Sequence, residues 1–385
     1  MIIRKIPLSW LQLTREKPRL FVAMAGIAFA DILMFMQLGF QAALYNSATL
    51  MHQNFRGDLM LMSPQARNLT YMDTFPRRRL YQAMSLDGVE SADAAYINFV
   101  DWKHPQTREK TSILVLGFDP EKSVFTLPEV DRNLDTLKLP DTVLFDQGSK
   151  GDYQTIIAQV NQNKSVTTEI ADRKINIVGL FTVGSSFGAD GNLIVSDLNF
   201  LRIFPRTKPE SISLGLITLK PGSDPQLVAK ALQANLPNDV KVLTHQEFIE
   251  FEKAHWQKNT PIGFIFSLGT MMGFIVGVII VYQILYTDVA DHIAEYATLK
   301  AMGYKNLYLL VVVFQEALIL SVLGYIPSIA LSTGLYALTR SATNLPLFMA
   351  LDRAIQVLVL TIVMCGISGA IAMRKLQSAD PADIF

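Results

Sequence analysis

Four strongly apolar segments punctuate the chain, at about Leu20–Leu44, Pro261–Tyr286, Leu307–Tyr336 and Ala354–Met373. Each is near or above the ~20 residues that an α-helix needs to cross a bilayer core of about 30 Å. Roughly 215 polar residues separate the first from the second, whereas the last three follow closely on one another. The pattern predicts a membrane α-helical protein with four transmembrane helices in a 1+3 arrangement and a large α+β extracytoplasmic domain inserted after the first span. The expected boundaries are a cytoplasmic amphipathic lead over 1–19, spans at 20–44, 261–286, 307–336 and 354–373, the inserted domain over 57–243, and a cytoplasmic tail over 374–385.

Basic residues orient the spans. Arg4, Lys5, Arg15, Lys17 and Arg19 precede the first, whose apolar run of about 25 residues exceeds a signal-peptide core and reads as a retained span. Lys300 and Lys305 lie between the second and third spans, and Arg374 and Lys375 follow the fourth. All three positions read as cytoplasmic, which places both termini inside and the domain, with the Thr339–Arg353 loop, outside an inner membrane.

The first helix is expected to continue past its span to about residue 56. Phe40, Leu44, Ser47, Met51 and Phe55 form a helical stripe, and Gly57 is placed to stop it. On the return side, Thr244-His-Gln-Glu247 has capping-box spacing and opens a helix over 244–260 carrying Phe248, Phe251 and His255. These two helices read either as stalks joining the domain to its membrane part or as independent surface helices. Within the domain, strands are expected at Asp58–Met62, Ala94–Val100, Ser112–Phe118, Val166–Glu169, Ile175–Thr182, Asn192–Val195, Ile212–Leu219 and Val240–Leu243. Helices at Arg78–Ser85 and Pro225–Leu236 complete a strand–helix–strand unit at each end, suggesting two βαβ lobes flanking a β-rich subdomain. Asp190-Gly191 reads as a hairpin turn.

Composition narrows the chemistry. Thirty-four basic residues balance 34 acidic ones at a mean hydropathy of +0.28, so no field for nucleic acid is present. A single cysteine, Cys365, excludes a disulfide within the chain. The patterns G-x-x-x-x-G-K-[ST] and H-E-x-x-H are missing. His52, His104, His245, His255 and His292 lack metal-ligand spacing, and His245 and His255 read as solvent groups. The expectation is a non-catalytic chain with no cofactor or metal of its own.

The segment from Asp288 to Gly303 reads as a helix with Asp288, Asp291 and Glu295 early, Lys300 late and Gly303 as its stop. Ile293, Ala297 and Ala301 make a narrow apolar stripe. Such a helix is either a docking element for another protein or a connector lying on the headgroups. Its residues Glu295-Tyr-Ala-Thr-Leu-Lys-Ala-Met-Gly303 resemble the E-x-x-x-L-K-A-x-G motif of FtsX/MacB-type ABC transporter permeases. Trp10–Arg19, Gln315–Ser321 with Gly324, and Ala379-Asp-Pro-Ala-Asp-Ile-Phe385 are similar to that family's lead, third span and tail. Gly26–Phe40 and Ser186–Asn192 resemble its DevC subfamily, which serves the cyanobacterial heterocyst glycolipid exporter.

The resemblance implies the MacB-like type VII ABC permease fold, a homodimer, and a separate ABC ATPase subunit that binds ATP and Mg. That ATPase would grip the coupling helix at Asp288, Asp291, Ile293, Glu295, Leu299, Lys300, Met302 and Gly303. It further implies mechanotransmission to a periplasmic domain working with a membrane-fusion adaptor and a TolC-like channel, on a glycolipid or other amphiphilic cargo. Alternatives within the family are an FtsX-like regulator of an extracytoplasmic hydrolase and a lipoprotein-release permease.

Three sets of intramembrane residues stand out. Gly269, Gly273 and Gly277 make overlapping G-x-x-x-G steps, a groove for close backbone approach. It serves a contact between protomers or within one chain, the first being the expectation. Asp31 and Glu316 lie near mid-bilayer, where an acid costs ~2.5 kcal/mol or more. They are either a hydrogen-bonded pair linking helices or two neutral groups each bonded to a neighbouring hydroxyl or carbonyl, the second being the plainer expectation. Pro327 is expected to kink the third span.

Overall fold

The computed structural model describes residues 8–162, 164–171, 173–304, 306–343 and 345–378. Arg4, Lys5, Lys305 and the tail Ala379–Phe385 lie outside the described residues, as do the side chains of Lys300, Ala297, Ala301, Arg374 and Lys375. The chain divides into a helical unit (the segment up to Ala43, Ile262–Thr343, and from Leu347 onward) and an α/β unit (Leu44–Pro261 with Asn344–Pro346).

The helical unit contains α1 (Leu8–Arg15), most of α2 (Lys17–Gln53), α10 (Pro261–Asp291), α11 (Ile293–Ala301), α12 (Asn306–Thr343) and α13 (Leu351–Ser378). Among the described residues, four stretches are long and apolar enough to cross a membrane: Lys17–Gln53, Pro261–Asp291, Leu310–Thr343 and Leu351–Met373. Their shared core mixes small side chains (Ala23, Ala30, Ala317, Cys365, Ala372) with Ile27, Val281, Leu285, Leu320 and Met364. Small residues let helix backbones approach where burial alone supplies no drive, because lipid is as apolar as leucine. Pro327 stands inside α12, which is one helix from Asn306 to Thr343. The 37 residues of α2 span about 55 Å at 1.5 Å per residue, far more than a bilayer core requires.

The α/β unit is built on one interlocked sheet. Strand β1 (Leu59–Met62) pairs antiparallel with both β10 (Leu214–Leu219) and β11 (Lys241–Thr244), and β10 pairs antiparallel with β3 (Val89–Lys103). Helix α3 (Arg78–Met84) connects β1 to β3, and α8 (Pro225–Asn235) connects β10 to β11. The spatial order β11-β1-β10-β3 therefore threads each strand–helix–strand unit through the other, the split βαβ arrangement of ferredoxin-like sheets. This corrects the expectation of two lobes: a strand of each unit lies between the two strands of the other, so neither is a body of its own.

Residue alternation explains the sheet's two faces. Leu59 and Leu61 of β1 join the core under α3 and α8, with Leu80, Ala83, Val228 and Leu232. Met60 and Met62 face the opposite core, with Met51 from the end of α2, Phe55 just beyond it and Phe248 of α9 (His245–Lys258). A small pairing of β2 (Phe75–Pro76) with β9 (Ser211–Ile212) lies beside the sheet in the chain's topology.

The second half of β3 leaves this sheet to begin a barrel. It pairs along its length with β4 (Lys110–Phe118), and the order continues through β8 (Asn192–Ser196), β5 (Thr142–Asp146), β7 (Arg173–Phe181) and β6 (Val166–Ile170). The ring closes where β6 meets the end of β3, Trp102 opposite Ile170 and Lys103 opposite Glu169. Trp102 fills the interior, stacked on Phe145 at 5.2 Å between ring centres. Outside the closure, Glu169 accepts from Lys103 at 2.6 Å and from Arg108 at 2.8 Å. The Arg108 guanidinium and then the Lys103 ammonium hold its carboxyl down at about 2, so the clasp is lost only as pH falls toward that value. Four short helices decorate the barrel: α4 (Pro128–Asp131), α5 (Leu134–Leu137), α6 (Gln154–Asn161) and α7 (Asp197–Ile203).

Asp190-Gly191 is not a hairpin turn. The strand after it, β8, pairs parallel with β4 and antiparallel with β5, never with β7. What shapes the loop is Asp146, a fully buried carboxylate at the end of β5. It accepts from Gly148 N at 2.9 Å, Val183 N at 3.1 Å, Gly184 N at 2.8 Å and Asn192 Nδ2 at 2.7 Å. Burial pushes its carboxyl above the usual range against the pull of those four donors. Replacing Asp146 by Ala strands buried donors at ~1–3 kcal/mol each where water does not reach them. The expected outcome is a melting temperature lower by several degrees and faster amide exchange across 183–192; exchange unchanged there would remove the carboxylate as the loop's anchor.

Candidate functional site

Four constellations bear on function. The first is the helix proposed from sequence to couple to another protein. The stretch from Asp288 to Gly303 is two helices, with Asp288 and Asp291 closing α10 and α11 beginning at Ile293. Its acids are engaged within the chain. Arg19 donates to Asp291 at 2.8 Å and stands 3.8 Å from Asp288, while Arg15 is 3.7 Å from Glu295. His292 Nδ1 lies 2.9 Å from the Asp288 carbonyl. Ile293 and Leu299 pack inward on Val289, Val313 and Met373. Gly303, at φ 91°, takes the left-handed conformation that ends helices. The surface left open follows it: Met302 is 64 % exposed, Tyr304 46 % and Leu307 70 %, and the Tyr304 and Tyr308 rings pack 4.8 Å apart.

The glycine groove of α10 is filled from inside the chain, which corrects the expected protomer contact. A Cβ at Gly269 would meet the Gln37 side chain at 2.5 Å, and one at Gly273 would meet Met34 and Leu33 of α2 at 3.2 and 3.4 Å. At Gly277 it would meet Met364 of α13, and Ala30 at 2.9 Å. The three glycines thus let α2 approach α10 closely, and any dimer surface on α10 lies on its other sides.

Asp31 and Glu316 are both fully buried, and they are not a hydrogen-bonded pair. Thr361 of α13 donates to Asp31 Oδ1 at 2.7 Å and Ser328 of α12 to Oδ2 at 3.2 Å. The carboxyl therefore ties three helices together, as expected of an isolated membrane acid with neighbouring hydroxyls. Among the described residues neither oxygen of Glu316 has a hydrogen-bond partner. Two further ties hold α2 to α12: Tyr336 donates to the Phe35 carbonyl, and Ile27 presses on Gly324 at 2.5 Å from its would-be Cβ.

The fourth constellation lies in the α/β unit and was not singled out from sequence. His52, near the end of α2, stands 3.2 Å from Glu252 of α9, both buried. The ring nitrogen is not aligned for a hydrogen bond, so this is a close polar contact. Glu252 also accepts from Leu69 N at 2.8 Å and from Trp256 Nε1 at 2.8 Å. Burial would raise its carboxyl, but His52, Leu69 N–H and Trp256 together hold it below the usual range. His245, read from sequence as a solvent group, instead sits between two carbonyls. Its Nε2 is 2.8 Å from His52 O and its Nδ1 3.1 Å from Gly57 O. The shorter contact falls on a carbonyl in the last turn of α2, while the Thr244 capping box closes the start of α9. The available signal was Glu252 itself, an acid four residues from both Phe248 and Trp256 on the apolar side of α9. No metal-holding group of His, Cys, Asp and Glu occurs among the described residues.

Two outcomes follow. Gly273→Leu forces a side chain against the α2 backbone and should lower the stability of the detergent-solubilised chain by about 1–3 kcal/mol, read as a fall in melting temperature; an unchanged value would return the groove to protomer contact. The depressed Glu252 carboxyl contributes stability present above the ordinary glutamate value near ~4.3 and lost as pH falls through its folded value. Glu252→Gln should therefore flatten the acid side of the stability profile below about pH 4.5, measured by thermal unfolding across a pH series. A wild-type slope in the variant would show that the pair carries none of it.

Comparison with known proteins adds three findings. Residues 266–381 match the family described as FtsX-like permease C-terminal. No curated protein matches the chain. Among solved structures it is similar to the periplasmic region of MacB from Actinobacillus actinomycetemcomitans, with a TM-score of 0.35 and 11 % identity over 51 % of this chain and 92 % of that one. It is also similar to the extracellular domain of the noncanonic ABC-type transporter YknZ from Gram-positive bacteria, with a TM-score of 0.30 and 16 % identity over 48 % of this chain and 99 % of that one. The matched residues take in most of α10, all of α11 and α12, and the described part of α13.

Proposed function

We propose that this chain is the membrane subunit of a MacB-type ABC exporter, turning the motion of a separate ATPase into displacement of an extracytoplasmic domain. The observation that carries this reading is the FtsX-like match, which falls on α10–α13 and includes the helix α11. The ATPase is expected to seat on the surface that α11 leaves open, at Met302, Tyr304 and Leu307, since Ile293 and Leu299 are turned inward. Asp288, Asp291 and Glu295 then act through Arg19 and Arg15, carrying a push on α11 to the start of α2 rather than meeting the ATPase themselves.

From there α2 is a single helix to Gln53, and its end is bound to α9 by His245 and by the His52–Glu252 pair. This supports the reading of both helices as stalks. In the same reading the termini and α11 are cytoplasmic, the α/β unit is periplasmic, and the chain works as a homodimer with a membrane-fusion adaptor and a TolC-like channel. The cargo is lipid-like or amphiphilic, a glycolipid if the DevC resemblance extends to substrate. ATP and Mg belong to the partner.

The test is reconstitution of the chain with its candidate ATPase. Met302→Asp with Tyr304→Asp should reduce co-purification of the ATPase about tenfold while leaving the melting temperature of the chain within a few degrees. Undiminished association would move the docking surface elsewhere. Nucleotide hydrolysis by the purified chain alone, or labelling that places 60–240 in the cytosol, would overturn the reading.

A further inference from the structure

Among the described residues the barrel wall has a gap. Strand β7 pairs with β6 only as far as Ile177, which lies opposite Val166, the first residue of β6. Residues 178–181 continue along β5 with nothing described on their other side. Gln147 N donates to Phe181 O at 2.9 Å, so Phe181 turns its peptide groups toward β5. Because successive residues of a strand point their N–H and C=O groups in opposite directions, Leu180 turns its own outward. Among the described residues no hydrogen bond reaches either group of Leu180. Val178 is the extra residue of a bulge, since Val143 pairs with Ile177 and Leu144 with Gly179. Bulges gather where a strand edge is re-aimed or its pairing ends.

A cavity of about 410 Å³ opens along this edge, lined by Val178, Gly179 and Leu180, within the ~300–1,000 Å³ range of ligand sites. Helices α4 and α6 wall it from opposite faces of the sheet: Val130 of α4 packs into one core and Val160 of α6 into the other. The polar lining is Glu129 and Arg132, one charge of each sign, with the amides of Asn133, Gln147 and Asn161. Exposed strand edges are templates for another strand, and proteins usually cover or charge them. Among the described residues this edge is uncovered over four residues, about 13 Å, and the cavity lining carries no net charge.

We infer that the β7 edge at 178–181 binds an extended polypeptide segment with uncharged polar side chains, which adds to the barrel as a strand between α4 and α6. Backbone groups of Leu180 supply the pairing, and the amides of Asn133, Gln147 and Asn161 read the side chains. This site stands independently of the transport reading, because it rests on the sheet alone.

The test uses the full chain in detergent with three probes: a blocked octapeptide of alternating Thr and Asn, the same peptide with every residue N-methylated, and glucose. Residue-resolved amide exchange should show Leu180 exchanging fast in the isolated chain and at least about fivefold slower with the octapeptide. A fluorescent version of that peptide should lose affinity about tenfold or more in Leu180→Pro, which removes the outward donor. Asn161→Trp, which fills the cavity without touching the ladder, should do the same and covers the case in which the proline variant misfolds. Protection of the Leu180 amide before any probe is added would mean the edge is already covered and would overturn the inference. So would equal binding of the N-methylated peptide, or slowing by glucose in place of the octapeptide, which would make the cavity a polyol site.

Discussion

After Pro18 in its first turn, helix α2 holds no proline and no break up to Gln53, so one hydrogen-bond ladder runs the length of its 37 residues. In a bilayer that ladder cannot open, because no water is present to satisfy a freed N–H or C=O. The helix is therefore stiff where it crosses, and the contacts around it are arranged as grips on a rod. In the helical unit the α10 glycines, the Tyr336 hydroxyl and the two hydroxyls on Asp31 hold it from three sides. In the α/β unit Phe55 enters the core beneath the sheet and His245 lies 2.8 Å from the His52 carbonyl in the last turn of α2.

Local pattern made much of this legible. The apolar segments announce themselves by length, the Thr244–Glu247 capping box lies where its spacing places it, and strands such as Val166–Ile170 alternate as a half-buried strand should. Strand β5, Thr142–Asp146, escaped notice because it is buried on both faces and shows no alternation, only a short apolar run between turns. The interlocking of the two strand–helix–strand units was also out of reach. Which strand pairs with which is decided by contacts roughly 150 residues apart, and a strand carries no local mark of its partner.

Site residues divide along the same line. G-x-x-x-G spacing shows that something packs closely on α10 but not what, and the answer is α2 of the same chain. The acids around α11 resemble a docking face until Arg15 and Arg19 are seen to occupy them. His52 and Glu252 are two hundred residues apart in sequence and 3.2 Å apart in space, a relation that no spacing rule could contain. Buried carboxylates show how far context governs the outcome. Asp146 collects donors from two loops and the start of β8, Glu252 one from a loop and one from its own helix, Asp31 two hydroxyls, and Glu316 among the described residues none.

The interlocked sheet bears on how the protein is made. Leu59-Met-Leu-Met62 is buried on both faces and bounded on both sides by strands that are synthesised much later. At about 5–20 residues per second, the newborn segment waits on the order of ten to thirty seconds before either neighbour exists. Throughout that interval a greasy, unpaired strand is tethered just beyond the first membrane helix, the kind of intermediate that aggregates or calls for a chaperone. Synthesis of this unit thus has a vulnerable window fixed by chain order, and residues 214–244 close it.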